Sequence, residues 1–161
     1  TQATVKLCIN AGDLSANCKS SEVKTVENSG APVKISEFEE LKSQKNKETG
    51  KIDVAFKLKL RKTGDDNYKL YAPDSICPKL NPEDKNIILI ANAQFPRADF
   101  KGCSDTRPQI NSETGESDYI FCTISVPASN TYEDVLVLNL YYTVKQSVNK
   151  DLQIIPDVKL T

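Results

Sequence analysis

The chain has 161 residues, 39% of them hydrophobic and 27% charged, and its 21 basic and 22 acidic side chains leave a formal net charge of -1. That length suits one domain with its own core, the charge balance excludes the basic excess that grips a phosphate backbone, and no apolar run approaches the roughly 20 residues of a membrane-crossing helix. Histidine is absent, which removes Ser-His-Asp and Cys-His catalytic groups, histidine-ligated zinc and imidazole switches.

In chain order, the pattern is dominated by strands. Residues 4–10 alternate, with Val5, Leu7 and Ile9 on one face and Thr4, Lys6, Cys8 and Asn10 on the other, as a half-buried strand does. Residues 22–26 alternate more weakly. Over 36–46 the pattern predicts one short peripheral helix: Ser36 is the N-cap, Glu39 completes a capping box, and Phe38 and Leu41 lie at helical spacing. Residues 51–62 put Ile52, Val54, Phe56, Leu58 and Leu60 on one side and Asp53, Lys57, Lys59 and Arg61 on the other. The turn residues 64–67 and the extended stretch 68–72 then predict a hairpin.

Residues 86–93 form a continuous apolar run, expected as a central strand buried on both faces. Residues 118–126 and 135–144 alternate again, the second with Leu136, Leu138, Leu140, Tyr142 and Val144 inward. Residues 152–155 and 158–160 read as an edge strand interrupted by Pro156. The expected fold is all-β, an antiparallel β-sandwich or jelly roll with the one helix, and 1–161 is expected to be a single domain.

Five cysteines, Cys8, Cys18, Cys77, Cys103 and Cys122, contain no CxxC pair and no metal-ligand spacing, so disulfides are the expectation. Sequence alone does not choose among the pairings. A local Cys8–Cys18 bridge is expected, because Asn10-Ala11-Gly12-Asp13 can turn the chain back. Cys77 with Cys103 would then join two loops, leaving Cys122 as a small buried hydrophobe beside Ile120, Ile124 and Val126. Methionine is absent, position 1 included, so Thr1 is expected to follow a processing cut, in keeping with a secreted, extracellular chain.

Carboxylates recur with turn residues at Asp13, at Asp65 and Asp66, at Asp99 and Asp105, and at Glu113, Glu116 and Asp118. Such loops supply the oxygens that calcium takes, six to eight at a time, and these eight residues are the candidate metal ligands. A glycosidase built on two carboxylates would need a cleft with sugar-stacking aromatics. At 7% aromatic residues and no Trp, the composition disfavours a glycosidase and a carbohydrate-binding module alike, since sugars stack on aromatic faces, and no enzyme is expected. The first strand, which carries Thr4, Val5, Leu7 and Ile9, could finish the sheet of a neighbouring copy and so build an open filament.

The opening TQATVKLCINAGDLSANC, the closing VLVLNLYYTVKQSVNKDLQIIP and a β-rich body without Met, His or Trp resemble the secreted, CanA-type cannula proteins of hyperthermophilic archaea. Strand-donating fibre proteins and bundling pili are related to these. The resemblance implies an extracellular tubule subunit that polymerises with identical copies, promoted by calcium, through donation of residues 1–10. A monomeric calcium-binding adhesion module at the cell surface is the alternative expectation. Neither reading requires nucleic acid.

Overall fold

The computed structural model describes residues 1–12, 18–64, 68–127 and 130–147. Its strands are β1 (Gln2–Ile9), β2 (Val26–Asn28), β3 (Val33–Glu40), β4 (Gln44–Lys45), β5 (Ile52–Lys62), β6 (Tyr68–Tyr71), β7 (Leu89–Gln94), β8 (Asp99–Cys103), β9 (Ile120–Val126), β10 (Tyr132–Tyr141) and β11 (Thr143–Gln146). One sheet runs β2-β1-β10-β7, the other β3-β5-β9-β8 with β4 on β5, and β11 and β6 form a ribbon. The named pairings are antiparallel.

The core lies between the two sheets and follows the alternation of the longest strands. Ile52, Val54, Phe56, Leu58 and Leu60 of β5 meet Val5, Leu7 and Ile9 of β1 and Leu136, Leu138 and Leu140 of β10 in one buried cluster. The Phe38 and Phe56 rings stack at 5.1 Å. Residues 22–28 tie the sheets together along one side: Val26–Asn28 pairs with β1, while Val23 bridges to Glu39 of β3. This edge segment therefore belongs to both sheets.

Several sequence expectations are corrected. The helix expected over 36–46 is strand, part of β3 followed by β4. A bulge between Ile35 and Glu37 shifts the register against β5, so the buried positions change from Val33 and Ile35 to Phe38 and Glu40. Phe38 and Leu41, the pair at helical spacing, are a buried β3 residue and the residue just past the end of β3, whose N–H donates to the Ala55 carbonyl of β5 at 2.8 Å. The hairpin expected over 51–72 does not form either. Both flanks of β5 are taken by β3 and β9, and β6 pairs with β11 instead. The strand expected at the centre of a sheet, residues 86–93, contributes β7, which is an edge. Its Ile88 and Ile90 N–H groups are satisfied by the carbonyls of Pro108 and Thr106, so a loop covers the side that a strand would have occupied. Beyond β10, Tyr142 is half-buried against the core but Val144 is exposed. The strand expected over 152–160 lies outside the described residues.

Cys8 is bonded to Cys18, and Cys103 is bonded to Cys122 rather than to Cys77. The β8–β9 register places Cys103 directly opposite Cys122, with their Cα atoms 4.0 Å apart. The expected loop-to-loop bridge is thus replaced by a cross-strand one, and Cys77 is a free, exposed thiol.

Candidate functional site

The first strand is the candidate for self-association. Ala3, Val5, Leu7, Cys8 and Ile9 are buried, because alternation sends the odd residues inward and the disulfide holds Cys8. Thr4 lies on the other face, where its hydroxyl reaches Glu27 Oε2 at 3.5 Å. β1 pairs with β10 over its whole length, from Gln2 opposite Asn139 to Ile9 opposite Tyr132. Its pairing with β2 stops at Val5.

Both ends of β1 are clasped. The Thr1 ammonium donates to the Leu140 carbonyl at 2.8 Å, and the Thr1 hydroxyl meets that of Tyr142 at 2.8 Å. Near the other end, where β2 no longer covers the strand, the Cys8 N–H donates to Glu40 Oε2 at 3.0 Å. Across the outer face an amide ladder joins three strands: Gln2 Nε2 donates to Asn139 Oδ1 at 3.1 Å, and Asn139 Nδ2 donates to Asn92 Oδ1 at 2.6 Å. A one-residue slip of β1 would break this ladder and turn Val5, Leu7 and Ile9 outward. Beside the uncovered edge is a groove of about 490 Å³, lined by Lys6, Val23, Thr25, Glu133 and Val135 among others.

Glu40 is fully buried, and its Oε1 has no hydrogen-bond partner among the described residues. Lys24 Nζ lies 3.3 Å from Oε2. Burial pushes the Glu40 carboxyl above its ordinary range, against the lowering effects of the Cys8 N–H and Lys24. Burial also opposes the charge on Lys24, but its bonds to Glu22 and Glu40 outweigh that and hold it above its ordinary value. An acid whose folded pKa is raised contributes stability that is complete below its unfolded pKa and is lost as pH rises through the folded pKa. Glu40→Gln keeps an acceptor for the Cys8 N–H and removes the buried charge. The variant is expected to be as stable as the parent or more so at pH 7, with the gain shrinking toward pH 4, in thermal melts across that range. A lower melting temperature at pH 7 would show instead that the Lys24 ion pair outweighs the cost of burial.

Five of the eight candidate metal ligands lie among the described residues. Asp13, Asp65 and Asp66 lie outside the described residues. Asp99 is 2.6 Å from Lys51 Nζ, whose hydrogen bond holds it below the ordinary carboxylate range. Glu116 bonds to Arg61 and lies 3.1 Å from Lys59, and these bonds, Arg61's first, lower it likewise. Asp105 Oδ1 accepts the Arg107 N–H at 2.8 Å, and Glu113 and Asp118 are exposed. Among the described residues no three His, Cys, Asp or Glu side chains gather to hold a metal ion. What the structure does bring together is Asp105, Glu116 and Asp118, along one groove beside Tyr119.

A motif explains how two of these loops are built. The run Asn-x-Glu-Thr-Gly occurs at 46–50 and again at 111–115. In each copy the Asn side chain caps the turn: Asn46 Oδ1 accepts from Glu48 and Thr49, and Asn111 Oδ1 accepts from Glu113 and Thr114. The closing glycines, Gly50 and Gly115, have φ of 68° and 71°, a left-handed conformation that only glycine adopts at no steric cost. Glu113 thus sits in a turn built by its neighbours.

No family model matches the chain, and the comparisons with curated proteins and with solved structures give no match.

Proposed function

We propose that the chain is a structural subunit for an oxidising, extracellular setting, and that it assembles with identical copies by exchanging β1. The observation that carries this reading is the form of β1. It is paired along its whole length with β10, keyed by an amide ladder and covered on its other edge for only three residues. Every one of those contacts can be made by the same strand from another copy, so exchange changes the connectivity but not the interface. Head-to-tail exchange that does not close gives a filament or tube.

The Cys8–Cys18 disulfide sharpens the reading. Residues 1–18 would move as one tethered unit, which places the hinge at 19–21, outside any strand, where Ser21 has φ 63°. Two disulfides support an oxidising compartment, and no helix among the described residues is long and apolar enough to cross a membrane. Calcium enters this reading only at contacts shared by two copies, through carboxylates such as Asp105, Glu113 and Asp118, which have no cation in ion-pair range among the described residues.

The test is a chain with β1 bolted to its own β10. Lys6 faces Val135, so Lys6→Cys with Val135→Cys, in a Cys77→Ser background, closes a cross-strand disulfide. Light scattering and negative-stain images, with millimolar calcium and with chelator, are expected to show polymers of the parent chain and monomers of the bolted one. A parent chain that stays monomeric in both conditions, or a bolted chain that polymerises equally, contradicts the proposal. The groove beside Tyr119 favours a second reading, a monomeric binding module, which the same images separate from the first.

A further inference from the structure

We infer that the groove beside Tyr119 is a binding site for neutral saccharides, a property that does not depend on whether the chain assembles. The groove has a volume of about 610 Å³, within the range of small-molecule sites. The chain reaches it from well-separated places: Lys59 on β5, Asp105 after β8, Asn111 and Thr114 in the capped turn, and Asp118 and Tyr119 before β9. Its lining is mostly polar, with Tyr119 as its aromatic member.

The aromatic surface continues onto the open face of the sheet. Tyr119 is 43% exposed and Phe121, two residues on, is 51% exposed. Alternation puts both rings on the same face, with their Cα atoms roughly 7 Å apart. Two exposed aromatic residues at adjoining positions offer rings to a ligand, and sugar rings present the flat C–H faces that stack on such rings. Tyr119 is also held in place. Its hydroxyl donates to Glu37 Oε2 at 2.5 Å, and the ammonium groups of Lys57 and Lys59 lie over its ring, 5.0 and 5.1 Å from the centroid, so a ligand stacks on the part of the ring that they leave exposed.

Charge selects the class of ligand. The three cations here share two carboxylates: Lys57 pairs with Glu39 at 2.8 Å, while Lys59, at 3.1 Å, and Arg61 both pair with Glu116. A phosphate, sulfate or uronate would meet cations already held by carboxylates, beside the exposed carboxylates of Asp105 and Asp118. Asp105 and Asp118 bring carboxylate oxygens that accept hydrogen bonds from hydroxyls, and Asn111, whose Oδ1 is used in its turn, retains its NH₂ as a donor. Acceptors, a donor and a stacking face together fit a polyhydroxylated ring. The second aromatic extends the site to an oligosaccharide.

The test is retention of the full chain on immobilised neutral gluco-, manno- and galacto-oligosaccharides, followed by calorimetric titration of any that bind. At least one is expected to bind, with an affinity unchanged on raising salt to about 0.5 M, where exposed charge attraction is screened. Tyr119→Ala and Asp118→Asn are each expected to weaken it about tenfold or more, the scale of one lost stacking or charged hydrogen-bond contact. Tyr119→Trp is expected to retain it, and thermal melts confirm that each variant is folded. The inference is overturned if none of the panel binds, if Tyr119→Ala binds like the parent, or if binding disappears in salt and polylysine competes for it, which would mark an acidic patch for cations.

Discussion

A chain lacking residues 1–10 is expected to lose its cooperative thermal transition and to regain it when a peptide of those ten residues is supplied. Cys8→Ala in the peptide and Cys18→Ala in the truncated chain prevent stray disulfides. The size of the loss follows from what β1 buries. Val5, Leu7 and Ile9 are at most 3% exposed, and fully burying such side chains contributes about 1.5–3 kcal/mol each. Removing the Cys8–Cys18 loop costs roughly a further 2–3 kcal/mol. The sum is comparable with the whole stability of a typical domain, about 5–15 kcal/mol. Restoration by the peptide would show that β1 acts when not covalently joined to the chain it completes, which strand exchange requires. A truncated chain that melts cooperatively on its own would show that the sheet does not need the strand.

Phe56→Ala is expected to cost about 3–5 kcal/mol, which in a chain of this size lowers the melting temperature by roughly 6–20 °C. Phe56 is fully buried on β5, between β3 and β9, and its ring stacks on Phe38. No neighbour can close the space, because strands hold it on both sides. Phe38→Ala should cost a similar amount, and the double variant less than the two combined, since the rings share one contact. Differential scanning calorimetry of the three variants checks this. Strictly additive losses would mean that the stacked pair contributes nothing of its own.

The fold class was legible because long strands with one face in the core write period two into the sequence. Ile52 to Leu60 and Leu136 to Leu140 show this plainly, and both sets are buried. Legibility failed where a local irregularity shifted the period or where the answer depended on a distant partner. Phe38 and Leu41 stand at helical spacing, but one lies in β3, after a bulge that shifts its register, and the other follows the strand's end. The run 86–93 is apolar enough for a central strand, yet a loop rather than a strand lies along its outer side. Cys103 meets Cys122 only because of the β8–β9 register, which no spacing rule supplies. The same holds for the groove: composition counts few aromatics, but cannot say that two of them stand exposed side by side next to Asp118. The repeated Asn-x-Glu-Thr-Gly was the one local signal available for its turn, and it marks a capped loop rather than a ligand.

Exchange of β1 is tested most directly by asking which copy it pairs with in assembled material. Two chains in a Cys77→Ser background, one carrying Lys6→Cys and the other Val135→Cys, are mixed, brought to assembly and oxidised, and the cross-linked peptides are identified by mass spectrometry. Because each chain carries one half of the pair, a bond between positions 6 and 135 can form only between copies. That bond is expected to dominate over 6–6 and 135–135 bonds. Its absence, together with an intact 6–135 bond inside single chains when the doubly substituted protein is oxidised after assembly, would leave β1 in its own sheet and contradict the proposal.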